Sequence, residues 1–547
     1  MSNSPRSLRR LGVAIIATVL TAALAACSGG TAPAGETAAA GEPVEGGILR
    51  VGLASDTPVI DPHLTGNSVA ALIGRNVVDS LVGQAPDNSY TPWLATEWTV
   101  NDTNTEYVFT LREDVTFSDG EELDAAAVKS NFDRILDPET NSSYAASLLG
   151  PVESVEAPDD TTVVLTYSEP FASLLQGLSL PYLGIQSPAF INSGEDTSSG
   201  VVGSGPFVLD SYAPGQGSVL SKREDYNWGP GYAEHTGPAY LDGIEFSILP
   251  EASTRLGALQ SGQVHAIDEV PPANYEALDA DPSFAIDTYE NPGVNYAFQL
   301  NTTKAPFDDV RVRQAFQSGA NIEEAVNATF FGTLNAADNI VGANTEFYDE
   351  TVAGTWGYDA DRANTLLDEA GWSERDSEGY RIKDGERLTV DWVYDESQTG
   401  ELNVNLVQAL QSQYRDIGLE LKLISVDSGG YTSRSESGDY DTISFFFVRP
   451  EADILRTVYS SANIPPNGSG NVSRVESLDE QLEEAVGAAP ERREELYSEV
   501  QHEIIDEAYS VPLYVVAYQL GRTQDLQGIT WATNAKPLFY DAWLVDA

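Results

Sequence analysis

YVFTLREDVTFSDGEELDAAAVKSNFDRI, Tyr107 to Ile135, holds a strand, a turn and a capped helix in one run. Tyr107, Phe109 and Leu111 fall on one side of an extended segment and Val108 and Thr110 on the other, the pattern of a half-buried strand. FSDGEEL (Phe117 to Leu123) supplies the turn. Asp124 then stands where a carboxylate caps a helix. Ala127, Val128, Phe132 and Ile135 recur at helical spacing along its inward face, and Asp137-Pro138 stops it. A strand that hands over to an amphipathic helix in so short a run points to an α/β fold.

The same exchange recurs on both sides. Gly47 to Leu53, GILRVGL, reads as a short strand. It leads through the loop DTPVIDPHLTGNS (Asp56 to Ser68) into an apolar helix expected to run toward Leu81. A second strand pair follows the Asp159-Asp160 turn, around Val163, Val164 and Leu165. In VVGSGPFVLDSY (Val201 to Tyr212), Gly203 and Gly205 permit tight backbone geometry before another strand. YLDGIEFSILP (Tyr240 to Pro250) alternates again, and ASTRLGALQSG (Ala252 to Gly262) reads as a helix closed by glycine. Beyond Asn291-Pro292, further α/β segments include Asp309 to Ala320, Asp359 to Trp372 and Leu406 to Val426. Leu496, Val500 and Ile504 mark a late amphipathic helix before the apolar strand VPLYVVAY (Val511 to Tyr518). No fixed period is visible, which excludes a solenoid or propeller.

The chain of 547 residues has 29 Lys plus Arg against 84 Asp plus Glu, a formal charge of 29 − 84 = −55. Phosphate binding needs a basic face, so nucleic acid is excluded as a partner. The one cysteine, Cys27, follows a basic segment (Arg6, Arg9, Arg10) and an apolar run from Leu11 to Ala23, the pattern of an export signal. Leu24-Ala25-Ala26-Cys27 is similar to a bacterial lipobox, which implies cleavage before Cys27 and a diacylglycerol on its sulfur. Ser28 to Gly47 has only small residues, Pro, Val and Glu, and reads as a flexible tether.

Enzyme chemistry is hard to find. The four histidines, His63, His235, His265 and His502, lack the paired spacing of a helical zinc site. There is no Gly-x-Ser-x-Gly elbow, no Gly-x-Gly-x-x-Gly and no P-loop, since none of the six lysines follows a glycine. Acidic pairs such as Glu121-Glu122 and Asp308-Asp309 carry little information among 84 carboxylates, although a glycosidase dyad would be hidden by them. The expectation is no enzyme, no cofactor and no metal. An exported lipoprotein hydrolase or adhesin stays as the alternative class.

Six ordered stretches resemble the extracellular solute-binding proteins of ABC importers, family 5, the dipeptide, oligopeptide and nickel branch. They are PWLATEW (Pro92 to Trp98), Tyr107 to Ile135, VGSGPF (Val202 to Phe207), TRLGALQSG (Thr254 to Gly262), APFDDVRVRQAF (Ala305 to Phe316) and ANTLLDEAGW (Ala363 to Trp372). KREDYNWG (Lys222 to Gly229) departs from the family's usual Arg-Asn-Pro-x-Tyr-Trp, with Trp228 displaced by Asn227.

The resemblance implies an α/β, two-lobed periplasmic-binding-protein fold with hinged lobes and an extra α/β subdomain inserted in lobe I. The expected divisions are a lipoprotein signal peptide over 1–26 and a tether over 27–46. Lobe I would occupy 47–75, the inserted subdomain 76–195, lobe I again 196–291, lobe II 292–511 and the end of lobe I 512–547. It also implies a monomer that captures a solute, a peptide first, and passes it to ABC permease transmembrane subunits. A metal–chelator complex, sugar or other small solute is the runner-up. The expected location is the extracytoplasmic face of the bacterial cell membrane, anchored through Cys27.

Carried onto this chain, the family's cleft would be lined by Thr65 and Asn67, by Tyr144, and by Tyr182 and Gln186. In GDYDTISFFFVRPEADILR (Gly438 to Arg456) the family's usual tryptophan is absent. There Phe445, Phe447, Arg449 and Asp453 are the candidates, with Phe445 and Phe447 sharing one strand face and Phe446 on the other. Arg449 would meet a solute carboxylate and Asp453 an amino group. The competing reading is an internal ion pair of Arg449 with Asp453 or Glu451.

Overall fold

In the strand Glu106–Leu111, Tyr107, Phe109 and Leu111 are buried, as their alternation requires. Asp124 accepts the Ala127 N–H at 2.7 Å and so caps the helix Ala125–Leu136, whose Ala127, Val128, Phe132 and Ile135 are buried. The computed structural model to which these elements belong describes residues 41–194 and 196–545. The expected signal, Cys27 and the tether through residue 40 lie outside the described residues. From Glu42 onward the chain forms one unit.

Glu106–Leu111 lies in an antiparallel sheet with the order Ala95–Val100, Glu106–Leu111, Thr162–Tyr167, Val152–Glu156. This sheet is separate from the others and falls within the residues 76–195 expected to form the inserted subdomain. Its Phe109, Phe132 and Leu165 belong to the same hydrophobic core as Leu49, Val51 and Phe246, so subdomain and lobe I are packed as one body.

The lobe I sheet has seven strands, in the order Phe284–Glu290, Ala517–Thr523, Ala266–Asp268, Ile48–Leu53, Gly243–Ile248, Gly217–Lys222, Phe207–Ala213. Ile48–Leu53 runs parallel to both its neighbours. The lobe II sheet has five, in the order Glu420–Val426, Thr389–Asp395, Thr442–Val448, Gly293–Leu300, Ser510–Tyr514. Adjacent residues of Gly293–Leu300 face opposite ways. Phe298 joins a core with Trp392, Phe316 and Tyr414, and Ala297 joins another with Tyr459, Leu496 and Val500. Lobe II is therefore a sheet covered by helices on both faces.

The chain passes between the sheets twice. It leaves lobe I at Glu290 and enters lobe II at Gly293, then leaves at Tyr514 and re-enters lobe I at Ala517. VPLYVVAY is therefore two strands in two sheets. An apolar run records burial, and burial continues across the change of sheet. The expected boundary after residue 511 falls inside Ser510–Tyr514, which pairs with Gly293–Leu300 and stays in lobe II.

The helix expected to run toward Leu81 ends at Gly74. The Val77 and Val78 N–H groups both turn back to the Gly74 carbonyl, at 2.8 Å each, and the Val77 carbonyl accepts the Gly205 N–H at 2.8 Å. Val77, Val78 and Leu81 are buried without being helical. Gly203 and Gly205 serve this close approach: a Cβ at Gly203 would lie 2.1 Å from the Val77 carbonyl oxygen.

Candidate functional site

A cavity of about 570 Å³ opens between the two sheets. Lobe I supplies Leu72, Tyr182, Arg255, Asp268, Glu269 and Lys536, lobe II supplies Phe330, Leu334, Leu402, Phe446 and Val448, and Asn291 and Val516 come from the two crossings.

Asp268 ends a lobe I strand, and its Oδ1 accepts the Ala54 N–H at 2.7 Å. Arg255, on the helix Ala252–Gln260, spends its guanidinium on backbone. Nε donates to the Asp268 carbonyl at 3.0 Å, Nη2 to the Glu269 carbonyl at 3.0 Å, and Nη1 to the Leu249 carbonyl at 2.8 Å. Its nearest approach to the Asp268 carboxylate is 3.6 Å. Burial, together with the adjacent Glu269, pushes the Asp268 carboxyl up to about 7.

Glu269 has φ +47°, left-handed backbone that costs a residue with a Cβ about 1–2 kcal/mol. Strain of this kind collects at functional sites. Arg255 donates to the carbonyls of Asp268 and of Glu269 itself. Across the cavity wall, the Lys536 Nζ lies 4.5 Å from the centre of the Tyr518 ring. Burial lowers Lys536 to about 8. No carboxylate among the described residues comes within ion-pair distance of it.

Three polar atoms on cavity-lining residues are buried without a hydrogen-bond partner: Asn291 Oδ1, Tyr518 OH and Asn534 Oδ1. Buried polar groups are nearly always paired.

The residues expected from sequence divide. Tyr144 and Tyr182 both line the cavity and meet edge to face with ring centres 4.7 Å apart. The Tyr182 hydroxyl donates to the Gly66 and Asn67 carbonyls at 3.2 and 3.3 Å. Thr65 and Asn67 stand beside the cavity but shape the loop: Thr65 Oγ1 accepts the Asn67 N–H at 3.0 Å, and Asn67 Oδ1 caps the helix Ser68–Gly74 through Val69 N–H at 2.8 Å.

Four expectations are corrected. Gln186 is fully buried away from the cavity, donating to Asp61 at 2.7 Å in a network with Arg134 and Thr197. Phe445 and Phe447 share a face, 5.3 Å apart, but that face is not the cleft; Phe445 packs against two lobe II cores, and Phe446 lines the cavity. Asp453 is buried in lobe II, accepting from Arg456 at 2.5 Å and from the Tyr497 hydroxyl at 3.2 Å. The internal ion pair proposed for Arg449 does not form, because Asp453 is taken by Arg456 and Glu451 by Arg493. Among the described residues Arg449 has no ion-pair partner; it stands between Val448 and Pro450, which both line the cavity.

Sequence reasoning missed Asp268, Glu269, Phe446, Asn534 and Lys536. Asp268-Glu269 is one more acidic pair among 84 carboxylates. For Lys536 a signal existed: lysine is rare here, six in 547 residues, and a buried one needs a reason.

The sequence matches the family described as bacterial extracellular solute-binding proteins, family 5 Middle, over residues 89–451. The chain is a family 5 solute-binding protein. It is 25% identical to the nickel-binding periplasmic protein of Escherichia coli K12, over 88% of this chain and 91% of that one. It is 26% identical to the glutathione-binding protein GsiB of Salmonella paratyphi A, over 87% and 91%. The structure of NikA from Brucella suis in complex with Fe(III)-EDTA superposes with a TM-score of 0.79 at 24% identity, covering 90% of this chain and 99% of that one, and shows the shared two-lobed fold. A family 5 protein is a binding component of an ABC importer, not an enzyme; it works outside the cytoplasm with a small solute and a permease as its partners.

Proposed function

We propose that this family 5 protein captures a short peptide between its lobes and delivers it to its permease, held at the membrane as a monomer by lipid on Cys27. The observation that carries the reading is the cavity itself. It is walled by both lobes and both crossings, its volume of about 570 Å³ lies within the roughly 300–1,000 Å³ of small-molecule sites, and a few polar and charged side chains stand among its apolar lining. Solute that touches both walls favours the closed arrangement, and that differential contact is the driving force for closure.

A second reading, a metal–chelate complex, draws on Lys536 and on Arg449, cations with no direct ion pair among the described residues and suited to chelator carboxylates. No histidine lines the cavity, and the described residues contain no cluster of three or more His, Cys, Asp or Glu placed for a metal, so the chelator would have to supply the metal's ligands.

Native mass spectrometry of the purified protein for co-purified ligand, followed by calorimetric titration with di- and tripeptides, nickel and iron chelates and sugars, separates these readings. Peptide binding with micromolar or tighter affinity supports the first. Binding of chelates alone, or turnover of any peptide or glycoside, overturns it.

A further inference from the structure

The charge in the cavity is one-sided. Arg255, Asp268, Glu269 and Lys536 are its four charged lining residues, and all belong to lobe I. The lobe II wall is Phe330, Leu334, Leu402, Phe446, Val448 and Pro450, with Thr333 its one polar side chain. Thr333 is already spent, since its hydroxyl donates to the Phe330 carbonyl at 2.7 Å.

Within lobe I, two of the four charges are committed to each other and to the frame. Arg255 holds four backbone carbonyls and stands beside the Asp268 carboxylate, which in turn accepts Ala54 N–H. Glu269 and Lys536 remain. Glu269 has only a 4.0 Å contact to Arg255, with its side chain 72% exposed. Lys536 Nζ stands against the Tyr518 ring and feels Asp268 and Glu269 only through space, with no ion pair to either among the described residues. One anion and one cation thus border the same cavity without forming a direct ion pair with each other, so that a ligand's charges can be inserted between them. Closing the lobes over them removes water, and a charge left unmatched in a closed cavity is costly. A ligand that brings one charge of each sign removes both costs at once.

We propose that Glu269 and Lys536 read the two charged ends of a zwitterionic solute, Glu269 receiving its ammonium and Lys536 its carboxylate, while lobe II closes over an apolar body. This rests on the solute-binding reading above and narrows its ligand to compounds with both charges free. It places charge recognition on lobe I, whereas the resemblance nominated Asp453 and Arg449 on lobe II. Asp453 is unavailable, being held by Arg456.

The test is calorimetric titration of the mature protein at pH 7.5 with leucyl-leucine, N-acetyl-leucyl-leucine and leucyl-leucine amide. Each cap is expected to weaken binding at least tenfold. Glu269→Gln should weaken the free peptide by a similar factor and erase the penalty of the acetyl cap. Lys536→Gln should do the same for the amide cap, and Arg449→Gln should not. Capping needs no variant, so the wild-type protein alone decides if a substitution misfolds. Equal binding of all three peptides overturns the charge-reading role and leaves the peptide reading intact. Loss of amide discrimination in Arg449→Gln rather than Lys536→Gln overturns the assignment to lobe I. Binding of none of the three overturns both readings together.

Discussion

The Asn291 N–H donates to the Val516 carbonyl oxygen at 2.7 Å, so the two segments that cross between the lobes are bonded to each other. Neither can swing alone. Gly342 packs against this junction: its N–H donates to the Gly293 carbonyl at 2.9 Å, and a Cβ on it would lie 2.5 Å from the Asn291 carbonyl oxygen. Gly342→Ala is expected to destabilise the protein by about 1–3 kcal/mol through overpacking. Urea unfolding with an unchanged midpoint would show that the crossings yield freely.

The two faces of the strand Thr442–Val448 should respond differently to truncation. Phe446 is 43% exposed on the cleft side, so Phe446→Ala should leave the unfolding midpoint nearly unchanged, within about 0.5 kcal/mol, and weaken solute binding. Phe445 packs into two cores. Phe445→Ala should cost about 2 kcal/mol, below the 3–5 of a fully buried phenylalanine, with solute affinity kept by the folded fraction. The reverse pattern would return the cleft to the other face.

Asp268 predicts a pH dependence. Its folded-state value is raised to about 7 from an ordinary 3.8 by burial and by Glu269. Between about pH 4 and pH 7 the folded carboxyl keeps a proton that the unfolded chain has shed. Stability from this group is therefore full at low pH and is lost as pH rises through about 7. Asp268→Asn removes the titration and retains an acceptor for Ala54. The variant should melt above wild type at pH 8, with the gap closing toward pH 4. A gap that is the same at both pH values would assign the dependence to another group.

Trp228 donates to Asp79 at 2.9 Å, and Asp79, fully buried, also accepts from Ser204 at 2.9 Å and Tyr226 at 3.2 Å. Burial raises this carboxyl to about 6 while the three donors oppose the rise. Trp228→Phe withdraws one donor from a buried acid and should cost about 1–3 kcal/mol, read by thermal or chemical unfolding. The same substitution should leave solute affinity unaltered.

Cys27→Ser tests the anchor. In a bacterial host the wild-type protein is expected in the membrane fraction, labelled by fatty acid, and the variant in the soluble extracytoplasmic fraction. Equal partitioning of the two would remove the lipid from the account.

Much of the architecture was legible because burial follows period. Tyr107, Phe109 and Leu111 declared a strand, and Phe132 and Ile135 declared a helix face. Where burial is complete the period vanishes: Val77 and Val78 were misread as helix, and Val515 and Val516 were missed as a crossing. The site was less legible for a related reason. Parity placed Phe446 opposite Phe445 and Phe447, but three phenylalanines in a row leave both faces apolar, and the sequence holds no mark of which one meets the cleft. Arg449 was left open between two local partners. Both are claimed elsewhere, Glu451 by Arg493 on a helix far along the chain, and only the tertiary structure shows that.

The strand Ala517–Thr523 lies inside the lobe I sheet, between Phe284–Glu290 and Ala266–Asp268. Every strand of lobe II, by contrast, falls between residues 293 and 514. The strands of lobe II are thus all encoded before the lobe I sheet is complete, and the first-encoded lobe depends on one of the last segments of the chain to close its sheet. A truncation of about thirty residues at the C-terminus is therefore expected to leave every described strand of lobe II in place and to open the lobe I sheet between its two neighbours of Ala517–Thr523.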